Sequence, residues 1–162
     1  MQNPPPPPPP PPGGQPPMMP PGYGGVIAVP GNLASPGLRI VGGLIDAIII
    51  GVVAGIVDGL TRGTWQIAGL VHFLLALGYL GYFWNTRGQS IGMMVFSFKV
   101  REISTGQYPS PGQALLRAFM WWLELVLTFP CLIGFIGWGW QLWDPKHQAL
   151  HDKVAGTIVT TS

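Results

Sequence analysis

The chain has 162 residues, 48% of them apolar and 9% charged, with a formal net charge of +2. Soluble domains of this size carry about 25% charged residues. Eight basic and six acidic side chains are therefore too few to solvate an ordinary water-soluble enzyme.

Residues 1–37 hold 15 of the 19 prolines and no charge, and Pro4–Pro12 is unbroken. Proline fixes φ and removes a backbone donor, so this tail is expected to be a disordered, extended polyproline II segment. It serves either as a solvated spacer or as a ligand for an aromatic-lined groove. It lacks the basic start and apolar stretch of a signal peptide. Residues 38–162 are enough for one compact domain.

The first apolar run, Leu38 to Leu60, is broken only by Asp46 and Asp58. At about 1.5 Å per residue it is long enough to cross a hydrocarbon core of about 30 Å. Gly43, Ala47, Gly51, Gly55 and Gly59 recur every four residues along it. Small residues so spaced admit close approach of another helix, from this chain in the first instance or from a second subunit. The second run, Trp65 to Trp84, carries Trp65, Tyr82 and Trp84 where interfacial aromatics are expected. Thr61 to Thr64 is the only connection, which predicts an antiparallel hairpin.

The third run, Ala118 to Trp143, contains Glu124, Pro130 and the lone Cys131. Either it is one span kinked at Pro130, or two half-helices that turn back between Pro130 and Gly134. Cys131 can join no disulfide framework and reads as a small buried hydrophobe. The expected architecture is thus an all-α membrane bundle of three transmembrane segments, about 38–60, 65–84 and 118–143, behind a disordered tail.

Arg87, Lys99 and Arg101 lie between the second and third runs, with Arg117 just beyond, against Arg62 alone in the first loop. Positive residues favour the cytoplasm, so this loop and the tail are expected on the cytoplasmic side of the cell membrane. Within the loop, Val95 to Val100 is too short to span, and a short interfacial helix leading into a strand or turn is predicted.

An intramembrane acid is costly, on the order of 3 kcal/mol on insertion scales, and calls for a functional or a helix-stapling role. Arg39 precedes Asp46 by seven residues, close to two turns, so both project from one face about 10 Å apart along the axis. Arg117 precedes Glu124 by the same offset. If both helices start on one membrane side, the acids lie at one depth, where two carboxylates can share a proton or hold a cation. The alternative is two unrelated helix entrances with snorkelling arginines.

His147 and His151, four residues apart with Asp144 and Asp152 near, raise metal ligation, but there is no third histidine close by and Lys146 and Lys153 oppose a cation. No metal and no cofactor are expected. Nucleic-acid binding is unsupported by basic residues that are few and beside apolar runs.

Arg39, Asp46, Gly88-Gln89-Ser90-Ile91-Gly92, Leu115-Leu116-Arg117 and His151-Asp152-Lys153-Val154-Ala155-Gly156-Thr157 together resemble the RDD family of bacterial membrane proteins, named for an arginine and two aspartates. The resemblance runs from about Leu38 to Thr160, with Met93-Met94 where the family usually has basic residues. The tail is similar to those of actinobacterial envelope proteins. The resemblance implies a multi-pass membrane protein in which transport of small ligands is the suspected activity, and it points to Arg39, Asp46 and Asp152. From it follows an expected Arg39–Asp152 contact that leaves Asp46 free for a proton, ion or helix partner.

Two functions are therefore expected to compete. One is transport of a proton, cation or small solute through Asp46 and Glu124, in a homo-oligomer or with a membrane protein partner, since three helices enclose no path. The other is a non-catalytic structural or accessory role in the envelope, with the tail recruiting a partner. No nucleophile and base stand together, so no enzymatic activity is expected.

Overall fold

The computed structural model describes residues 32–61 and 64–161. The greater part of the tail, Arg62, and the side chains of Trp65 and Cys131 lie outside the described residues. Helix α1 (Pro36–Thr61) opens on a proline, whose fixed φ suits a first helical turn. Helix α2 (Trp65–Arg87) ends on Gly88 at φ 67°, the left-handed conformation that glycine adopts freely. Among the described residues these are the two helices long and apolar enough to cross a membrane by length and composition.

After Gly88 the chain forms a four-residue helix, α3 (Ile91–Met94), and a strand, β1 (Phe98–Glu102). Helix α4 (Pro111–Cys131) is started by a capping box, in which Ser110 and Gln113 each accept from the other's backbone N–H. It ends at Cys131, one residue after Pro130, and Leu132 at φ 57° then reverses the chain. Helix α5 (Ile133–Gly139) then packs back on α4, where an added Cβ on Gly134 would overlap the Glu124 carbonyl oxygen. The third apolar run is therefore not one continuous helix but two helical pieces folded on each other.

A 3-10 turn (Trp140–Leu142) leads to α6 (Leu150–Ala155) and to strand β2 (Thr157–Thr161). The all-helical expectation is corrected here. β1 and β2 form a two-stranded antiparallel sheet with Val100 opposite Val159, its β-branched residues suited to a pleated surface. Leu33 bridges Thr160, and the Ala34 N–H donates to the Val159 carbonyl at 3.0 Å. The domain thus begins about five residues before Leu38, because the free edge of β2 recruits an apolar segment counted with the tail.

One core, including Leu80, Trp84, Val100, Ala118 and Trp121, sits at the end of the bundle where α1 begins and α2 finishes. Trp84 is only 2% exposed, so it is a core residue and not an interfacial aromatic; Tyr82 is the exposed one. At the other end α1 and α2 present Val52, Ile56, Leu60, Ile67 and Leu70 outward. The small-residue stripe of α1 divides accordingly. Gly43 meets Trp138 of this chain, whereas Cβ atoms added at Gly51, Gly55 and Gly59 would meet nothing within 4 Å.

Candidate functional site

Three helices deliver charges to the buried end of the bundle. Helix α1 supplies Arg39 and Asp46, α4 supplies Arg117 and Glu124, and α6 supplies His151 and Asp152. Asp152 is wholly buried and stands third in α6, where its Oδ2 accepts the Ala149 N–H at 3.0 Å and so holds the start of that helix. Both arginines converge on it. Arg39 Nη2 donates to Oδ2, while Arg117 donates to Oδ1 through Nε at 3.0 Å and Nη2 at 2.6 Å. Burial pushes the Asp152 carboxyl up, but the two guanidinium groups outweigh it and hold the group well below the ordinary carboxylate range. Asp152 is therefore ionised at physiological pH.

Arg39 also donates to the His147 carbonyl oxygen. Arg117 lies 3.9 Å over the Trp84 ring, a cation–π contact that substitutes for part of its lost hydration. The expected Arg39–Asp152 contact is thus present, and Arg117 shares the same carboxylate.

Of the three roles expected for Asp46, the helix partner is the one present. Its Oδ1 accepts from Tyr79 Oη at 2.8 Å and from the Gly92 N–H at 2.9 Å, and its Oδ2 accepts from Ser90 Oγ at 2.5 Å. The Gly88–Gly92 turn closes over this carboxylate through Ser90 and Gly92. Glu124 is engaged elsewhere, by the His151 N–H at 2.8 Å and His151 Nδ1 at 2.9 Å. Asp46 and Glu124 share no hydrogen bond among the described residues, so the carboxylate pair inferred from equal depth does not form. Equal helical offset fixes height along an axis but not azimuth, and the two acids face different neighbours.

His147 and His151 part company as well. His147, at φ 50°, has its Nδ1 3.3 Å from the Ala34 carbonyl oxygen, while His151 is taken by Glu124. Asp144 accepts from Lys153 Nζ at 2.5 Å and from the Lys146 and Gln148 N–H groups, each at 3.0 Å. Partial burial raises its pKa, yet these donors prevail and the net shift is downward. Among the described residues no three His, Cys, Asp or Glu side chains converge as a metal site.

Arg39, Asp46, Trp84, Arg117, Gln141 and His151 are among the walls of a cavity with about 30 Å³ open to the centre of a water molecule. Such a space admits water-sized groups. Arg117 Nη1, Trp84 Nε1, Trp138 Nε1 and Gln141 Oε1 are buried and have no hydrogen-bond partner among the described residues, and all four residues line this cavity. Tyr79, Ser90, Trp138 and Gln141 were not recognised from sequence. Ser90 lay inside a turn motif and Gln141 was an isolated amide in an apolar run, so each carried a signal. The two indoles, Trp84 and Trp138, carried none, since tryptophan suits a core and a membrane interface equally.

The chain matches the RDD family over residues 33–156. It is 36% identical over 100 residues to a proline-rich antigen homolog of Mycobacterium tuberculosis, covering 57% of this chain and 39% of that protein. It is 35% identical over 100 residues to the proline-rich antigen of Mycobacterium leprae, covering 59% and 38%. An uncharacterized protein of Rickettsia prowazekii is 33% identical over 91 residues, covering 56% and 47%. The chain thus spans about two fifths of the length of its mycobacterial relatives. No solved structure matches it. With the match running across the whole buried charge cluster and both apolar helices, this membrane-associated chain belongs to the RDD family.

Proposed function

We propose that this protein is a multi-pass protein of the cell membrane that binds and moves a small polar solute or ion, a proton or monovalent cation included, as an oligomer or with a membrane partner. It is not an enzyme in this reading. The observation that carries it is the cavity at the buried end of the bundle, lined by four residues whose buried polar atoms have no hydrogen-bond partner among the described residues. Networks that serve assembly alone close their buried donors, because each one left open costs about 1–3 kcal/mol.

Orientation and assembly follow from the same arrangement. Arg39, Lys99, Arg101 and Lys153 lie on segments that meet at the sheet end of the bundle, which supports a cytoplasmic position for that end and for the tail. The uncovered Gly51, Gly55 and Gly59 face of α1 supports contact with a second copy.

The test is flux in liposomes that contain purified full-length protein. Wild type should dissipate an imposed gradient of protons, of a monovalent cation or of a small anion, and Asp46→Asn should change the rate. Absence of any flux, together with normal folding of Asp46→Asn, sinks the reading. A structural role in the envelope would then stand, favoured by a specific observation: Asp46 joins α1 to α2 and α3, Glu124 joins α4 to α6, and Asp152 joins α1, α4 and α6.

A further inference from the structure

We propose that the cavity beside Arg117 is a binding site for a small monovalent anion of one to three heavy atoms, such as a halide. The assignment rests on reading the cavity as a functional site and adds the chemical class of its ligand. Hydrogen-bonding capacity is the first argument. The unpartnered buried atoms on the walls are three nitrogens, Arg117 Nη1, Trp84 Nε1 and Trp138 Nε1, against one acceptor, Gln141 Oε1. Guanidinium and indole nitrogens only donate. The Gln141 amide is oriented by its Nε2, which donates to the Trp138 carbonyl at 2.9 Å. An anion accepts several hydrogen bonds and has none to place in return, whereas each water accepting these N–H groups must still find acceptors for its own two O–H bonds.

Charge is the second argument. Arg39 and Arg117 share the single carboxylate of Asp152, and the Nη1 edge of Arg117 is left with no hydrogen-bonded carboxylate among the described residues. Neither remaining acid reaches the free edge of Arg117. Glu124 is held by His151, and the Asp46 oxygens, though on the cavity wall, are held by Tyr79, Ser90 and Gly92. The ligand accordingly sits against Arg117 and the indole N–H groups, away from Asp46. Apolar walls from Met93, Trp121 and Val159 lower the local dielectric and strengthen that attraction.

Size is the third argument. The narrow space between these side chains suits a halide, nitrite or formate.

Purified full-length protein in detergent is titrated with sodium bromide at constant ionic strength, balanced with gluconate, while tryptophan fluorescence is followed. Bromide quenches an indole on contact. A saturable component is expected, competed by chloride and unchanged when potassium replaces sodium. Trp138→Phe removes one N–H to the charged ligand and should weaken binding on the order of tenfold or more. Gln141→Glu places a negative charge on the wall and should abolish saturation, while Trp143→Phe, an exposed indole, should leave it intact. Retained helical circular dichroism checks that each variant is folded, and Gln141→Glu decides the matter if Trp138→Phe is not. Purely collisional quenching of wild type, or saturation unaltered in the folded variants, overturns the anion site. If bromide fails to saturate while proteoliposomes still dissipate a proton or cation gradient, the anion assignment falls and the functional cavity stands. If both are absent, both fall.

Discussion

Asp152 has no exposed surface and faces two guanidinium groups, which makes its loss different from the loss of either arginine. Removing one member of a buried ion pair costs about 3–5 kcal/mol, because the other charge is left without compensation. Arg39→Ala leaves Asp152 with Arg117, so the smaller loss is expected there. Asp152→Ala leaves two buried guanidinium groups and also removes the acceptor for the Ala149 N–H, so it should lie at or above the upper end of that range. The double variant should lose less than the sum of the two. Unfolding in mixed micelles measures all three, and strict additivity would mean that the contact contributes no coupling.

At the scale of elements, α1 and α3 approach backbone on backbone. A Cβ added at Gly92 would overlap the Gly42 carbonyl oxygen, and one added at Gly42 would meet the Gly92 carbonyl oxygen at 3.1 Å. Backbone on backbone cannot yield as a flexible side chain does. Gly92→Ala is therefore expected to destabilise by about 1–3 kcal/mol, the usual cost of overpacking, while moving the Gly92 N–H away from Asp46. Gly112→Ala, in the first turn of α4 with open space around it, should be neutral or slightly stabilising. Melting temperatures of the two variants compare the effects directly, and equal behaviour would refute the close contact as its cause.

For the whole molecule, the reversal at Leu132 and the pairing of β1 with β2 put the loop between α2 and α4 on the same side as the C-terminal segment. Single cysteines introduced at Thr105 and at Thr161, in a Cys131→Ala background, should therefore respond alike to an impermeant thiol reagent in intact cells. With the cytoplasmic orientation proposed above, both resist labelling until the membrane is opened. Labelling of one and protection of the other would require a continuous third span and would contradict the sheet.

The apolar lengths of α1 and α2, the positions of the inward charges and the Gly88–Gly92 turn were legible in the sequence, because each depends on composition or spacing within one segment. The family pattern extended that reach to the Arg39–Asp152 contact. Tertiary structure decided the remainder: that Arg117 joins Arg39 on one carboxylate, that Asp46 is closed by Tyr79, Ser90 and Gly92, that Glu124 meets His151 and not Asp46, and that Leu33 extends the sheet. These partners lie from 27 to 127 residues apart, the last being Leu33 and Thr160 (160 − 33). Helical spacing sets how deep a side chain lies and which residues share its face. Which neighbour that face meets is settled only when the chain turns at Leu132 and brings α6 against α4, since the packing of whole elements sets their azimuth.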